Sequence, residues 1–254
     1  MKRYEGILIC SDIDGTLADS KGMGGVSKEN IDAINFFMSH GGLFTLATGR
    51  QRIFTEKYDE LFICNAPMVL INGTVVAKGD EILYSNQLNS KALEDIDTIL
   101  KEFPIMRECH IRNIDSEIRF LLKEGKMERV QEVAGPYYKC IFLFDKAEQC
   151  SFFMEKMLEK YGDEYEFNRS WPFEAEMHMK GSGKGDAVKF LRRYYGEKVK
   201  KIICVGDYEN DLSMIIEADE GVAVENAHPV LKKAADKITV SCEENAIAKI
   251  ISEL

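Results

Sequence analysis

The sequence predicts an α/β protein whose doubly wound, mostly parallel sheet is interrupted by an inserted α+β domain. At both ends of the chain, short apolar runs alternate with helical segments, a pattern typical of parallel strands joined by helices. In the middle of the chain, strand-like runs outnumber helices, which favours an antiparallel sheet. The core is therefore predicted to be a Rossmann-like sheet that carries a second, inserted domain.

The apolar runs of the predicted core share a feature at their carboxyl ends, where small or polar residues follow each one. Their continuous hydrophobicity fits parallel strands that are covered on both faces. Ligands of open α/β sheets bind at this edge, so the polar strand ends predict one common site. The runs are 6–10, 43–47, 68–71, 201–205 and 221–224, and a shorter strand, 237–240, is expected at the sheet edge. Helices are expected at 184–194, 209–217, 229–235 and 243–252, and between Ser27, a candidate N-cap, and about residue 40.

The segment from about residue 82 to residue 180 has a different character, because few of its runs end in such polar residues. Its predicted strands are 105–112, 117–123, 138–144, 164–168 and 173–179, and its predicted helices are 90–102, 125–133 and 146–161. We therefore expect a core domain of residues 1–82 and 181–254 and an inserted domain of residues 83–180. Gly181 and Gly183 would make the return crossing flexible.

Composition narrows the classes of function. The net charge of −10 argues against a nucleic-acid or anionic-membrane surface, which would need a basic patch. The seven cysteines are scattered and include no CxxC pair, so they are expected to be buried thiols in a reducing compartment. No apolar run approaches the roughly 18 residues of a membrane helix. We predict a cytoplasmic protein, and the oligomeric state stays open.

Two pairs of carboxylates follow strands of the predicted core. Asp12 and Asp14 come after the first run, and Asp207 and Asp211 come after the fourth. Clustered acids repel one another unless a cation lies between them, and Mg²⁺ prefers such oxygen ligands. One acid could also attack phosphorus while another acts as a general acid and base. Either pair taken alone could instead be solvated loop acids or acids at a helix N-terminus.

Other residues at the same predicted edge could hold an anion. Thr48 and Gly49 offer a hydroxyl and backbone N–H groups for phosphate oxygens, although the same residues could cap a helix. Lys184 stands at a predicted helix start, where the helix dipole disfavours a cation. Neutralising phosphate and carboxylate charge would explain its position, and a solvated surface lysine is the alternative.

Taken in chain order, these segments resemble the four motifs of the haloacid dehalogenase superfamily. The resemblance is closest to the Cof-like branch of sugar phosphatases, in which a C2B-type cap is inserted between the second and third motifs. The four segments are Asp-Ile-Asp-Gly-Thr-Leu at 12–17, Thr-Gly-Arg at 48–50, Lys-Gly at 184–185 and Gly-Asp-Tyr-Glu-Asn-Asp at 206–211. Further matches at 72–73, 176–177, 180–181 and 226–227 extend the resemblance over nearly the whole chain.

The resemblance implies an Mg²⁺-dependent phosphatase that hydrolyses a small phosphorylated metabolite, such as a sugar phosphate, through an aspartyl-phosphate intermediate. Asp12 would be the nucleophile and Asp14 the general acid and base, while Thr48 and Lys184 would hold the transferring phosphoryl group. The implied Mg²⁺ ligands are Asp12, Asp207, the backbone carbonyl of Asp14, and Asp211 directly or through water. The implied phosphate-binding residues are Thr48, Gly49, Asn72, Lys184 and Asn210.

Substrate choice should depend on the inserted cap, which would close over the site and exclude water. Glu176 and His178, near the return crossing, are predicted substrate contacts, and the other candidates are Arg107, His110, Arg112, Arg169 and Trp171. Two other functions stay open. The first is a phosphomutase, which would require a bisphosphate. The second is a non-catalytic phosphate-sensing module, which loss of Asp12 or Asp14 would favour, and both residues are present. The sequence does not identify the natural substrate.

Overall fold

The computed structural model describes residues 2–19, 25–55, 58, 61–123, 125–131 and 133–254. The strands are β1 (Ile7–Ser11), β2 (Leu43–Leu46), β3 (Met68–Leu70), β4 (Val75–Lys78), β5 (Glu81–Ser85), β6 (Glu108–Arg112), β7 (Glu117–Lys123), β8 (Lys126–Gln131), β9 (Lys139–Leu143), β10 (Tyr165–Trp171), β11 (Glu174–Met179), β12 (Lys201–Gly206), β13 (Glu220–Ala223) and β14 (Lys237–Ile238). The helices are α1 (Lys28–Ser39), α2 (Ser90–Glu102), α3 (Ala147–Tyr161), α4 (Lys184–Tyr195), α5 (Leu212–Glu217), α6 (Pro229–Ala234) and α7 (Ala246–Ser252).

The core sheet has the strand order β14-β13-β12-β1-β2, and all neighbouring strands are parallel. β1 is an interior strand of this sheet, where Ile9 pairs with Ile203 on one side and with Phe44 on the other. All three side chains are fully buried. This agrees with the continuous apolar runs in the sequence, because apolar and polar residues need not alternate along a strand when both faces of the sheet are covered. The predicted parallel core and its short edge strand are confirmed.

The predicted strand near residue 68 departs from this pattern. β3 meets the core sheet through an isolated parallel bridge between Ala47 and Val69, and it pairs antiparallel with β4 in a three-stranded sheet, β3-β4-β5. The sequence analysis missed the β4–β5 hairpin. A two-residue turn, in which Gly79 has a φ of +57°, joins the two strands. Gly79-Asp80 between two apolar segments was the available signal.

The middle segment forms a second, antiparallel sheet with the order β10-β11-β9-β6-β7-β8. One face packs against α2 and α3 in its own apolar cluster, which includes Ile96, Phe142, Phe153 and Met177. The predicted antiparallel cap is therefore confirmed. The exact division at 82/83 and 180/181 stays a prediction, and β5 spans the first of these boundaries.

One predicted helix is wrong. Residues 125–133 were expected to be helical, but 126–131 form β8, which pairs with β7 from Lys123 opposite Lys126. Gly125 has a φ of +76°, a conformation that suits a tight hairpin turn and does not begin a helix. Met127 packs against the apolar cluster of the cap sheet. Pairing with a neighbouring strand thus overrides the helical propensity of a short polar segment.

The other helices agree closely with expectation. Ser27 is the N-cap of α1, and its side chain accepts a hydrogen bond from the Asn30 N–H. The helix predicted at 209–217 begins as a 3₁₀ turn at Glu209–Asp211 and continues as α5. Among the described residues, no helix combines the length and hydropathy that a bilayer crossing requires.

Candidate active site

The carboxyl ends of adjacent core strands converge with the start of one helix. Asp12 follows β1, Thr48 lies just beyond β2 and Asp207 follows β12, and all three residues line one cavity. Lys184 is the first residue of α4, and its ammonium group donates a 2.7 Å hydrogen bond to Asp12. Residues that are far apart in the sequence thus meet at one edge of the sheet, as expected for parallel strands.

Three of the predicted acids form a compact cluster. One carboxylate oxygen from each of Asp12, Asp207 and Asp211 lies within 4.8 Å of the other two. Asp211 is fully buried and Asp12 is 7% exposed. Lys184, also buried, contacts two members of the cluster, since it donates to Asp211 at 2.6 Å as well as to Asp12. One ammonium group therefore offsets only part of the negative charge of three carboxylates.

Asp211 also holds the loop after β12 in place. Its Oδ2 accepts hydrogen bonds from the backbone N–H groups of Asp207 at 2.9 Å and Tyr208 at 3.2 Å, while its Oδ1 accepts from Lys184. Asp207 accepts a hydrogen bond from the Thr16 hydroxyl at 3.2 Å. The Asp211 carboxylate is thus largely occupied by protein donors, and Asp12 and Asp207 have more free lone pairs for a cation.

Gly15 allows the two acidic loops to approach each other. Its φ is +83°, and a Cβ added to it would lie 2.4 Å from Oδ2 of Asp207. Any other residue here would face both backbone strain and a clash with the carboxylate.

The Asp14 carboxylate has a different partner. Arg50 donates to both of its oxygens, at 2.7 and 2.6 Å, and the Asp14 side chain is 39% exposed. The described acid cluster does not include Asp14. Arg50 was part of a motif in the sequence, but its pairing with Asp14 was not foreseen.

The residues predicted to bind phosphate are connected by hydrogen bonds. The Arg50 N–H donates to the Thr48 hydroxyl at 3.1 Å, and the Asn72 N–H donates to the Thr48 carbonyl at 2.9 Å. Asn210 donates from its side chain to Oδ1 of Asn72 at 3.2 Å. Asn72 has a φ of +57°, which turns the chain sharply at this position. Thr48, Asn72 and Asn210 are all buried.

The cavity between the core and the cap has a volume of about 500 Å³. Its lining residues from the core are Asp12, Asp14, Thr48, Gly49, Arg50, Phe54, Asp207, Tyr208 and Asn210, and those from the cap are Arg112, Lys139, Ser170, Trp171, Glu174 and Glu176. Glu176, a predicted contact, is therefore at the cavity. His178 is not among the described lining residues. Its Nε2 lies 3.1 Å from Nδ2 of Asn168, and its Nδ1 lies 3.2 Å from the Ser182 hydroxyl oxygen.

The sequence analysis missed Lys139 and Glu174. Lys139 lies in β9 and forms a buried 2.7 Å ion pair with Glu176 in β11. Burial raises the pKa of Glu176, but the charge of Lys139 and the hydrogen bonds to Lys139, Glu174 and Ser170 together outweigh this effect and leave that pKa below its ordinary value. In β11, Glu174 and Glu176 alternate with apolar residues, which places them on one face of the sheet and was the available signal for Glu174. Lys139 begins the otherwise apolar strand β9 and had no such signal.

Of the other cap candidates, Arg112 and Trp171 line the cavity. Arg169 instead connects the two domains, since it donates two hydrogen bonds to Glu209 at 3.1 and 3.0 Å. His110 and Arg107 both contact the Glu108 carboxylate. Nε2 of His110 lies 3.0 Å from Oε2, and Nε of Arg107 lies 3.4 Å from Oε1.

Comparisons with known proteins show the family of this chain. The family model described as haloacid dehalogenase-like hydrolase matches residues 9–251. This chain belongs to that family. A curated relative, the 5-amino-6-(5-phospho-D-ribitylamino)uracil phosphatase YwtE of Bacillus subtilis, is 28% identical in an alignment 282 positions long that covers 97% of each chain.

Solved structures of related proteins share the fold of this haloacid dehalogenase-like hydrolase. A haloacid dehalogenase-like hydrolase from Bacteroides thetaiotaomicron superimposes with a TM-score of 0.80 at 23% identity, covering 99% of both chains. A sugar phosphatase of subclass IIB of the superfamily also has a TM-score of 0.80, at 19% identity, covering 97% of this chain and 98% of its own. The predicted Cof-like fold and the predicted phosphatase class are confirmed.

The acid cluster of this hydrolase fits a divalent cation, which enzymes of the family generally use. Burial and the neighbouring carboxylates raise the pKa of Asp12 to about 7, although Lys184 opposes the shift. Burial, Asp12 and Asp211 raise the pKa of Asp207 to about 9. These carboxylates therefore repel one another when no cation is bound. An all-oxygen donor set without cysteine or histidine suits a hard cation.

Proposed function

We propose that this phosphatase hydrolyses a small phosphorylated metabolite with Mg²⁺ as its cofactor and Asp12 as its nucleophile. The observation that carries the proposal is the cluster of Asp12, Asp207 and Asp211 around Lys184 at the edge of the sheet, next to Thr48. Phosphoryl transfer requires in-line positioning and neutralisation of charge, and this arrangement supports both. A cytoplasmic location stays a prediction from the sequence.

Mg²⁺ would be held by the carboxylates of Asp12 and Asp207 and by the Asp14 backbone carbonyl. Asp211, whose oxygens are largely occupied, would act directly or through water. When bound, the ion would offset the negative charge that the acids and the phosphate bring together.

The chain's own residues would carry the covalent steps. A carboxylate oxygen of Asp12 attacks phosphorus, and the bond to the leaving oxygen breaks as Asp14 gives that oxygen a proton. Asp14 then takes a proton from the water that attacks the aspartyl phosphate, which releases inorganic phosphate and restores Asp12. Thr48 and Lys184 would hold the phosphoryl oxygens during both steps. Asp14 must leave Arg50 to reach the leaving group, and its partial exposure supports this movement.

The cavity supports a polar leaving group such as a sugar or a polyol. Its cap side presents hydrogen-bonding side chains, among them Arg112 and Glu174, beside the aromatic ring of Trp171. The relative YwtE is named for a substrate whose phosphate is attached to a ribityl chain. A release assay over sugar, nucleotide and vitamin phosphates would identify the natural substrate class.

The nucleophile assignment is tested with Asp12→Asn, and Asp32→Asn serves as a control because Asp32 is exposed on α1. We expect Asp12→Asn to abolish release of phosphate from p-nitrophenyl phosphate, and we expect the control to retain it. The wild type, quenched during turnover, should carry phosphate that hydroxylamine removes, as an acyl phosphate does. Turnover by Asp12→Asn at the wild-type rate would refute the proposal.

A further inference from the structure

Lys139 is a cap residue that reaches into the core. Its side chain is 1% exposed, and its ammonium group donates to Glu176 at 2.7 Å and to the Gly49 carbonyl at 3.2 Å. Gly49 follows Thr48, so this contact joins the cap sheet to the loop that is proposed to hold the phosphate. A buried lysine is costly unless its charge is paired, and here the pairing is completed by a core carbonyl.

The geometry of one peptide unit connects Lys139 to the Thr48 hydroxyl. A trans peptide is planar, and its C=O and N–H groups point in opposite directions. In the peptide between Gly49 and Arg50, the C=O accepts from Lys139 and the N–H donates to Oγ1 of Thr48 at 3.1 Å. Fixing the carbonyl therefore fixes the direction of the N–H. With a lone pair of Oγ1 occupied, the hydroxyl proton of Thr48 is free to be donated to a phosphate oxygen.

The partner of Lys139 reaches the same region from a second side. Glu176 accepts a hydrogen bond from the Asn72 side-chain amide, whose oxygen accepts from Asn210 at 3.2 Å. The backbone N–H of Asn72 donates to the Thr48 carbonyl at 2.9 Å. The Lys139–Glu176 pair thus holds Thr48 through both Gly49 and Asn72.

We propose that Lys139 is a positioning residue, which acts from the cap through the Gly49–Arg50 peptide to orient the Thr48 hydroxyl for phosphoryl transfer. The inference rests on the proposed function, in which Thr48 binds the phosphoryl group. It implies that the cap completes the phosphate site as well as covering it. Lys139 would then affect substrates of every size, whereas a residue that recognises the leaving group affects only substrates that reach it.

The test uses Lys139→Met together with Glu176→Gln, because removing Lys139 alone would leave a buried carboxylate unpaired. The amide oxygen that Glu176→Gln introduces could still accept a hydrogen bond from Asn72, so the double variant mainly removes the donor to Gly49. Lys101→Met is the matched control, since Lys101 is an exposed cap lysine on α2. Thermal unfolding of each variant reports whether it folds, and kcat/KM is measured with acetyl phosphate, whose leaving group is too small to span the cavity.

The decisive measurement repeats the substitutions in a Thr48→Ala background. If Lys139 acts through Thr48, the double variant loses about tenfold or more in kcat/KM when Thr48 is present and less than about threefold when it is absent. Equal losses in the two backgrounds, or no loss for acetyl phosphate, would overturn the positioning role. Asp12→Asn in the same assay separates the two proposals. Its turnover would refute the proposed function itself, whereas an inactive Asp12→Asn with equal losses would refute only the role of Lys139.

Discussion

Replacing Lys184 with methionine should remove both stability and activity. Lys184 is fully buried, and its two hydrogen bonds, at 2.7 and 2.6 Å, reach two carboxylates that are themselves almost inaccessible to water. Removing one partner of a buried ion pair typically costs about 3–5 kcal/mol, because the remaining charge stays desolvated. We expect a loss of that size in the free energy of unfolding when no divalent ion is present. Lys189→Met is the control, since Lys189 is half-exposed on the same helix.

The same substitution should separate metal binding from catalysis. Without the ammonium group the acid cluster is more negative, so the variant should bind Mg²⁺ more tightly than the wild type does. Mg²⁺ should therefore stabilise the variant against unfolding by more than it stabilises the wild type. Turnover should nevertheless fall about 10²–10³-fold, the usual cost of losing one preorganised donor to a transition state. Urea unfolding with and without Mg²⁺ gives the stabilities, and phosphate release from p-nitrophenyl phosphate gives kcat.

Two results would refute this reasoning. An unfolding free energy within about 1 kcal/mol of the wild type, measured without metal, would mean that the buried ion pairs do not determine the stability of the site. Turnover at the wild-type rate would mean that Lys184 does not hold the phosphoryl group.

Three further predictions concern the metal, the cavity and the cap. EDTA should stop turnover and added Mg²⁺ should restore it, whereas full activity in EDTA would contradict a metal requirement. Burial and the charge of Glu176 raise the pKa of Glu174 to about 7, so its ionisation destabilises the fold as the pH rises from about 4.5 through 7. Glu174→Gln should therefore stabilise the protein by roughly 1–3 kcal/mol at pH 8 and by little at pH 4. Urea unfolding measures both stabilities, and an equal effect at the two pH values would contradict the raised pKa of Glu174. Arg169→Gln should cost at most about 1 kcal/mol in urea unfolding, because the Arg169–Glu209 ion pair is part-exposed. If this pair holds the cap against the core, the substitution should also raise KM more than it lowers kcat. An unchanged KM would refute this role of the Arg169–Glu209 pair.

Local patterns in the sequence were sufficient for most of the fold. Buried parallel strands produce continuous apolar runs, so β1, β2 and β12 could be located from the pattern of apolar residues along the chain. β8 could not be located in this way, because a six-residue polar segment has little hydrophobic periodicity, and its secondary structure depends on pairing with β7. The β4–β5 hairpin was overlooked because its turn signal, Gly79-Asp80, is only two residues long.

The candidate site was predictable where its residues follow strands and less so where they lie within a sheet. Asp12, Thr48 and Asp207 stand at strand ends, and the topology of a parallel sheet brings such ends together. Lys139 and Glu174 are the first residues of the cap strands β9 and β11, and their proximity to the core depends on how the cap packs against it. Alternation along β11 places Glu174 on one face of the cap sheet, but no spacing along the chain encodes which face packs against the core. The position of these two residues at the cavity therefore emerged only from the structure.

The account is tested most directly by a crystal structure of the protein with Mg²⁺ and orthovanadate, which mimics a phosphoryl group in transfer. We expect one ion about 2.1 Å from carboxylate oxygens of Asp12 and Asp207, and vanadium bonded to Asp12 within reach of Thr48 and Lys184. An ion bound away from the cluster of Asp12, Asp207 and Asp211, or vanadate bound without contact to Asp12, would contradict it.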